Sequence, residues 1–336
     1  MIRSFVRDTY ITYILCVFAL ALFGFPLASF AQTAPGVGFR PVSIDDPVNG
    51  GTFPGYVFYP STEPSQTTWL GPYELKAAPD AAVTKGSKPL VVISHGHGGS
   101  ALGHHDLAAY LARHGFIAAS LEHPKDNFHD TSGTGTAAVL VGRPIQIKAM
   151  ITALLNDSSW EIDASRIGVA GFSAGGYTAL MVAGAVPRFE RFIDYCKQQP
   201  QDAEICAPLE KVKPKGKAKA ELAALQADLH KWGSPADPRV KAAFVMAPLS
   251  VLFDKTGLAQ MRTPIFLYYG QDDRVLLPKY NVLHIAPLIK TPAGIKSIPK
   301  AGHYVFLSPC SPKLMDAAPA ICNDPPASIG QPCIAY

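Results

Sequence analysis

The sequence from Gly171 to Gly175, which reads Gly-Phe-Ser-Ala-Gly, constrains the fold of this chain more than any other segment. An apolar run at 166–170 precedes it and a helix-like stretch at 176–183 follows it. Strand, Gly-x-Ser-x-Gly and helix in that order are typical of a nucleophile elbow, a turn so sharp that it lifts the hydroxyl of Ser173 clear of the backbone. The glycines are needed because side chains at their positions would collide with the neighbouring strand or helix. The competing interpretation is a glycine-rich turn with an incidental serine, and the flanking strand and helix count against it.

Apolar runs alternate with helix-like segments on both sides of this motif. Strands are predicted at 89–94, 116–121, 242–246, 264–269 and 294–298, and helices at 105–114, 143–155 and 279–289. Unbroken apolar runs of this length are typical of buried parallel strands. The alternation therefore predicts an α/β fold with a mostly parallel central sheet flanked by helices. An edge region is expected at 40–45 and 56–59, followed by a loop at 60–88 that is rich in Pro, Ser, Thr and Gly.

The N-terminus has the layout of a secretory signal peptide. Arg3 and Arg7 precede an apolar run at 11–25, and small residues lead up to Ala31. The alternative is an uncleaved membrane anchor, but Pro26 and the shortness of the apolar core argue against it. We expect cleavage of residues 1–31 and a secreted or periplasmic protein.

Composition limits the partners of the mature chain. The formal net charge of the full sequence is +4, and removal of Arg3, Arg7 and Asp8 with the signal peptide leaves about +3, which is too mild to indicate a nucleic-acid partner. Beyond the N-terminus no apolar stretch is long enough to span a membrane, so no stable membrane span is expected after cleavage. The oligomeric state stays open.

The cysteines fit an oxidising compartment. Neighbouring positions suggest the disulfides Cys196–Cys206 and Cys310–Cys322, which leaves Cys333 without a partner. Spacing does not determine connectivity, and free thiols are the alternative. The sequence has no Cys-x-x-Cys, so a structural zinc cluster is not expected.

One large α/β domain, 32–336, is expected, with an insertion at 187–238 where the strand–helix alternation breaks. The insertion contains a lysine-rich run at 211–217 and an Ala/Leu-rich helix at 219–232. Because it lies between two core strands, we interpret it as a lid or cap over the carboxyl edge of the sheet. The lysine run fits a solvated face.

A serine needs a base to take its proton and an acid to orient that base. In this fold the acid and then the histidine should follow the serine along the chain, each on a loop after a later strand. Asp272 and Asp273 follow the strand at 264–269, and His303 follows the strand at 294–298. We expect Ser173, Asp273 and His303 to be catalytic; Asp272 is the alternative acid.

The negative charge that develops on the substrate oxygen needs two backbone N–H donors. One should be Ala174, the residue after the nucleophile. The other should come from the glycine-rich loop at 94–99, where we choose the N–H of His97.

The same loop supports an alternative reading. His95, His97, His104 and His105 resemble the ligand set of zinc-dependent metallo-β-lactamase-fold hydrolases, in which zinc activates water directly. Gly99 stands where that set needs an aspartate, and Ser100 where it needs a histidine. We therefore expect no metal and no cofactor.

Several motifs together resemble the α/β-hydrolase superfamily, and more narrowly the exported predicted dienelactone hydrolases related to platelet-activating-factor acetylhydrolases. They are Ser94-His95-Gly96, Glu122-His123-Pro124 with Asp126-Asn127-Phe128, the elbow within 163–176, Gly302-His303-Tyr304, Pro309-Cys310-Ser311 and Ile321-Cys322-Asn323-Asp324-Pro325. The resemblance covers about residues 40 to 325 and implies a serine carboxylesterase acting on small acyl esters without a cofactor.

The chain departs from those relatives at particular positions. Dienelactone hydrolases proper use a cysteine nucleophile, whereas this chain has Ser173. Phe172 replaces a histidine often found before the nucleophile, and His97 replaces an apolar residue; both are expected to shape the acyl pocket. The tail at 326–336 is atypical.

Together these features predict a serine carboxylic ester hydrolase that works through an acyl-enzyme on a small-molecule ester with a short acyl chain. A catalytically silent binder on the same fold is the remaining alternative, because a fold alone does not determine a function.

Overall fold

The computed structural model describes residues 36–202, 205–206 and 215–324, without the side chains of 215–218. The predicted signal peptide, the tail at 326–336, Cys333 and most of the lysine-rich run lie outside the described residues.

The strands follow the apolar runs. They are β1 (Gly36–Asp45), β2 (Thr52–Ser61), β3 (Thr67–Leu70), β4 (Tyr73–Lys76), β5 (Ala78–Pro79), β6 (Lys88–Ser94), β7 (Ile117–Leu121), β8 (Ile162–Phe172), β9 (Val240–Met246), β10 (Ile265–Gly270) and β11 (Pro292–Ile298). The described helices are α1 (His105–Arg113), α2 (Ala137–Leu140), α3 (Gly142–Asn156), α4 (Ala174–Val182), α5 (Arg191–Gln198), α6 (Lys215–Ala227), α7 (Val282–Ile285), α8 (Pro312–Ala317) and α9 (Pro319–Cys322). Short 3-10 turns lie at Ser158–Trp160, Asp228–His230, Ala286–Leu288 and Tyr304–Phe306.

A nine-stranded sheet with the order β11-β10-β9-β8-β6-β7-β2-β1-β5 forms the centre of the molecule. The strands from β11 to β7 pair in parallel, whereas β2 pairs antiparallel with both β7 and β1. The predicted mostly parallel sheet is therefore confirmed. The parallel strands end at the same edge, so the loops after β6, β8, β10 and β11 meet there.

Helices cover both faces of the sheet. Side chains alternate along each strand, so Val92 and Val169 belong to one apolar cluster while Ile93 and Ala170 belong to another. The first cluster packs beneath α3 and α4, and the second packs beneath α1. Beside α1, the face formed by β9, β10 and β11 lines an open apolar cavity of 520 Å³.

Two segments differ from the prediction. The expected loop at 60–88 contains β3 and β4, which pair with each other, and β5, which joins the edge of the main sheet. The sequence did not predict these strands, because they are short and consist largely of polar and turn-forming residues. The helix expected at 279–289 is α7 followed by a 3-10 turn, since Pro287 lacks the N–H that would continue an α-helix.

The insertion at 187–238 connects α4 to β9. Helix α4 starts at the carboxyl edge of the sheet and runs back, so both ends of the insertion lie at the opposite edge from Ser173. The N–H of Asp237, near the end of the insertion, donates to the carbonyl of Val182 at the end of α4 over 3.0 Å. The N–H of Arg188 donates to the carbonyl of Leu252 over 2.8 Å, which attaches the insertion to the segment after β9. Its function as a lid stays a prediction.

Two disulfides have the predicted pairing. Cys196 is bonded to Cys206 and Cys310 to Cys322. They fit a protein from an oxidising compartment outside the cytoplasm. Among the described residues, no helix has the length and hydropathy needed to cross a membrane.

Candidate active site

Ser173 lies in a sharp turn between β8 and α4. Its φ of 56° and ψ of −117° are rare for a residue with a side chain, and a conformation of this kind costs roughly 1–3 kcal/mol. Neighbouring backbone compensates: the Ser173 N–H donates to the Met246 carbonyl over 3.0 Å, and its carbonyl accepts from the Leu249 N–H over 3.0 Å. Strand β9 and the segment after it thus hold the serine in a strained position at the carboxyl edge.

The glycines of the turn have the steric role expected from the sequence. A Cβ at Gly171 would overlap the carbonyl oxygen of Gly175, and a Cβ at Gly175 would overlap the carbonyl oxygen of Ser94 on the adjacent strand. Both obstacles are backbone atoms, which cannot rotate away. Only glycine therefore fits at either position without a shift of the sheet or the helix.

His303 lies between a serine and an aspartate. Its Nδ1 is 2.7 Å from Asp273 Oδ2, and its Nε2 is 3.0 Å from Ser173 Oγ. The side chains of His303 and Asp273 are only 3% and 1% exposed. Because a carboxylate can only accept, Nδ1 carries the proton, which leaves the Nε2 lone pair free to accept the serine proton.

The neighbouring carboxylates after β10 have different surroundings. Asp273 Oδ1 accepts from the N–H groups of Val275 and Leu276 over 2.9 and 2.8 Å, so both of its oxygens are occupied and its orientation is determined. The side chain of Asp272 is exposed, while its N–H donates to the Ala301 carbonyl over 2.9 Å. The structure thus places Asp273, and not Asp272, against the imidazole.

The loop after β6 passes directly beside the serine. A Cβ built on Gly96 would lie 3.4 Å from the Cβ of Ser173, so the absence of a side chain keeps the approach open. The N–H of His97 follows on this loop, and the N–H of Ala174 begins α4. Neither N–H has a hydrogen-bond acceptor among the described residues. Both N–H groups are therefore available as donors.

A buried ion pair supports this loop from below. Arg143 Nη1 lies 2.5 Å from Asp126 Oδ2, and both side chains are almost completely buried. The other guanidinium nitrogen donates to Ser94 Oγ over 3.1 Å and to the carbonyl of His95. Asp126 Oδ1 lies 2.5 Å from His97 Nδ1. One carboxylate thus connects α3 to the side chain of His97.

The charge state of Asp126 follows from these contacts. Burial raises the pKa of this carboxyl, but the hydrogen bond from His97 and the charge of Arg143 outweigh it and lower the pKa to about 2. The carboxylate is therefore ionised at neutral pH and balances the buried guanidinium. His97 itself is 52% exposed, so it joins this interior network to the surface beside Ser173.

Two further histidines beneath the loop are neutral. Burial and the Arg143 charge lower the pKa of His95 to about 3, and burial likewise lowers the pKa of His123. His95 donates from Nδ1 to the Gly96 carbonyl over 2.6 Å and accepts at Nε2 from the His123 N–H over 3.1 Å. Both of its ring nitrogens are occupied, so His95 has a structural role here.

These contacts bear on the zinc alternative. His104 donates from Nδ1 to the Phe306 carbonyl over 2.9 Å, and His105 packs edge-on against Tyr73. With His95 and His97 bonded as described, the histidines do not converge on one point. Within 36–202, 205–206 and 215–324, no group of three or more His, Cys, Asp or Glu side chains is arranged to hold a metal ion.

Phe172 lies under His303. Its ring is buried, with its centroid 4.7 Å from that of His303 and 5.5 Å from that of His104. The ring therefore packs beneath His303, and its effect on the acyl pocket stays a prediction. His97, by contrast, is exposed at the site.

The roles of Arg143 and Asp126 do not follow from the sequence alone. The available signal was an arginine that begins an otherwise apolar helix, since a charged residue on a core-facing helix needs a buried partner. Asp126 carried no signal of its own beyond the resemblance, because its partners lie on α3 and on the loop after β6.

No protein-family model and no curated protein matches this chain by sequence. Similar solved structures are a ferulic acid esterase from Streptomyces cinnamoneus and a protein from Klebsiella pneumoniae subsp. pneumoniae MGH 78578 assigned as a dienelactone hydrolase. The first has 19% identity and a TM-score of 0.53, covering 88% of this chain and 82% of that one. The second has 16% identity and a TM-score of 0.46, covering 80% and 89%. With the sheet order and the elbow described above, the likeness to the esterase shows that this chain has the α/β-hydrolase fold.

Proposed function

We propose that this chain is a serine hydrolase that cleaves carboxylic esters through an acyl-enzyme. The observation that carries the proposal is the position of His303, whose ring nitrogens lie within hydrogen-bond distance of Ser173 Oγ and Asp273 Oδ2. Serine, base and acid have the order along the chain that this fold uses.

The reaction follows from the proton positions. His303 Nε2 takes the proton of Ser173 as Oγ bonds to the ester carbonyl carbon, and the carbonyl electron pair moves onto oxygen. When the carbon–oxygen bond to the alcohol breaks, His303 returns that proton to the leaving alkoxide. Water, deprotonated by the same histidine, then releases the acid and regenerates Ser173.

Backbone donors and an aspartate stabilise the charges that develop. We assign the oxyanion to the N–H groups of Ala174 and His97, and removal of one such donor costs roughly 3–4 kcal/mol of transition-state stabilisation. Asp273 holds the imidazole in the required tautomer and stabilises its cationic form. Asp126 and Arg143 position the loop that carries His97.

The substrate we propose is a small-molecule ester with a short acyl chain. The sequence resemblance to proteins related to platelet-activating-factor acetylhydrolases supports this substrate class. The name of the Streptomyces esterase supports an ester bond as the target. The predicted signal peptide and the disulfides support action outside the cytoplasm.

The decisive experiment combines labelling with kinetics. Wild type, Ser173→Ala and the control Ser165→Ala, which changes an exposed serine on β8, are treated with a fluorophosphonate probe and assayed on a chain-length series of p-nitrophenyl esters. We expect labelling and turnover in wild type and control, with a loss of about 10³-fold or more in Ser173→Ala. A chelator should have no effect on turnover. Turnover without Ser173, or lost with the chelator, would contradict the proposal; turnover absent from every variant would favour the silent binder.

A further inference from the structure

A second carboxylate, Asp324, lies behind the catalytic histidine. A Cβ at Gly302 would overlap Oδ1 of Asp324, so this carboxylate touches the backbone immediately before His303. Asp324 and His303 also line one small cavity of 90 Å³. The mechanism described above makes no use of this group, although it is partly buried within the catalytic region.

Helices α8 and α9 and a disulfide hold Asp324 close to His303. Ser311 caps α8 by accepting from the Leu314 N–H over 3.1 Å, and α9 follows after a break at Ala318. The disulfide from Cys310 to Cys322 ties the end of α9 back to the segment just after the turn at Tyr304–Phe306. Asp324 comes two residues after this crosslink. The crosslink therefore limits how far the carboxylate can move from His303.

The contacts of Asp324 are of two kinds. The backbone N–H groups of Tyr304 and Val305, at the start of the turn that follows His303, hydrogen-bond to the carboxylate. Its Oδ2 is buried and has no hydrogen-bond partner among the described residues. A buried oxygen without a partner is costly, and such a cost is often retained where a group serves the function.

The charges around Asp324 also indicate an interaction with His303. Burial raises the pKa of this carboxyl, and repulsion from Asp273 adds to the rise, whereas the two N–H donors and the charge of His303 oppose it. The carboxylate is therefore attracted to the imidazole in its cationic form, which arises during the reaction when His303 takes the proton of Ser173.

We propose that Asp324 is a positioning residue for His303, holding the turn after the histidine through its backbone N–H groups and facing the imidazolium with a second negative charge. The role rests on the proposed function, because imidazolium forms during ester cleavage. Asp273 remains the group that bonds Nδ1, and Asp324 acts through the backbone and through space.

Other polar and charged groups also face this histidine. They are Ser173 at the elbow, Tyr304 next to His303 in the chain, and, on the loop after β10, Asp272, Asp273 and Arg274. Asp272 is a matched control, since it lines the same small cavity but is exposed and forms no side-chain hydrogen bond within the described residues.

The test compares Asp324→Asn with Asp272→Asn. Asparagine keeps the shape and one acceptor oxygen but removes the charge. We expect Asp324→Asn to lower kcat about tenfold with KM unchanged, and to move the acidic limb of the kcat/KM–pH profile to lower pH. Asp272→Asn should leave both close to wild type. Circular dichroism and Tm show whether each variant is folded.

A readout independent of turnover separates this inference from the proposed function. The ring of His303 is followed by NMR in histidine-labelled protein through a pH titration, with the signal assigned by its loss in His303→Gln. In Asp324→Asn the midpoint should move to lower pH, and in Asp272→Asn it should stay. An unchanged midpoint overturns the inference whether or not the protein hydrolyses esters. So does a lower Tm without a change in midpoint, because that result assigns Asp324 a structural role only.

Discussion

The guanidinium of Arg143 lies 2.5 Å from the carboxylate of Asp126, and both side chains are buried beneath the loop that carries His97. An uncompensated charge in this place would be very costly, so the two groups depend on each other. The pair joins α3 to the loop after β6 and thereby positions one of the oxyanion donors we propose.

Loss of the Arg143 side-chain charge should therefore destabilise the protein. In Arg143→Met the Asp126 carboxylate stays buried without its guanidinium, and we expect a loss of roughly 3–5 kcal/mol in the free energy of unfolding. Chemical denaturation measures it, with Arg166→Met as the control, since that arginine is exposed and should matter little. The double variant Arg143→Met/Asp126→Asn should recover part of the loss; no recovery would show that the charges are not coupled.

The low pKa of Asp126 predicts a dependence of stability on pH. A carboxyl whose pKa is about 2 in the folded protein, against about 3.9 unfolded, stabilises the fold above pH 4 and loses that effect between pH 4 and pH 2. The contribution is about 3 kcal/mol. The difference in unfolding free energy between wild type and Asp126→Asn should shrink over this interval. A difference that stays constant from pH 6 to pH 2.5 would argue against the assignment.

Adjacent carboxylates should have unequal effects on turnover. Asp273→Asn removes the acceptor that holds the Nδ1–H tautomer of His303, and we expect kcat to fall by roughly 10³–10⁴-fold. Asp272→Asn should be mild because its side chain is exposed. Steady-state kinetics on a p-nitrophenyl ester separates them, and the reverse pattern would assign the acid to Asp272.

Two glycines of β8 and the elbow should respond differently to alanine. A Cβ at Gly175 overlaps the Ser94 carbonyl, so Gly175→Ala should destabilise the fold by about 1–3 kcal/mol or more. At Gly168 the nearest atom, the carbonyl oxygen of Ala242, would lie 3.5 Å away, so Gly168→Ala should be tolerated. Tm values of both variants test this, and equal values would show that the elbow can relax.

The disulfides should differ in their effect on turnover. Replacement of either cysteine pair by serine should lower the free energy of unfolding by about 3 kcal/mol, since both disulfides close loops of similar length. Only Cys310→Ser/Cys322→Ser should also lower kcat, because its crosslink holds Asp324 near His303. Unchanged kcat in that variant would separate the crosslink from the site. A fall in Cys196→Ser/Cys206→Ser would support the lid function predicted for 187–238.

The local sequence was sufficient for the parallel sheet and for the position of the serine. Unbroken apolar runs locate β6 through β10 within a few residues, because a strand buried on both faces leaves little room for polar side chains. The requirement for glycine around Ser173 is likewise local, since the obstacles follow from the turn itself. Edge strands β3, β4 and β5 were missed because they are short and half exposed, and their residues resemble those of a loop.

The tertiary structure decided which charged groups act together. Sequence spacing favoured Asp273 over Asp272, but their environments differ only because the loops after β10 and β11 meet. Arg143 lies beside Asp126, and Asp324 beside His303, although many residues separate the members of each pair along the chain. No local sequence pattern indicates these contacts. Ser173 and its glycines were readable in the sequence because backbone sterics act over neighbours; the surroundings of His303 were not, because electrostatic contacts depend on the folded distance.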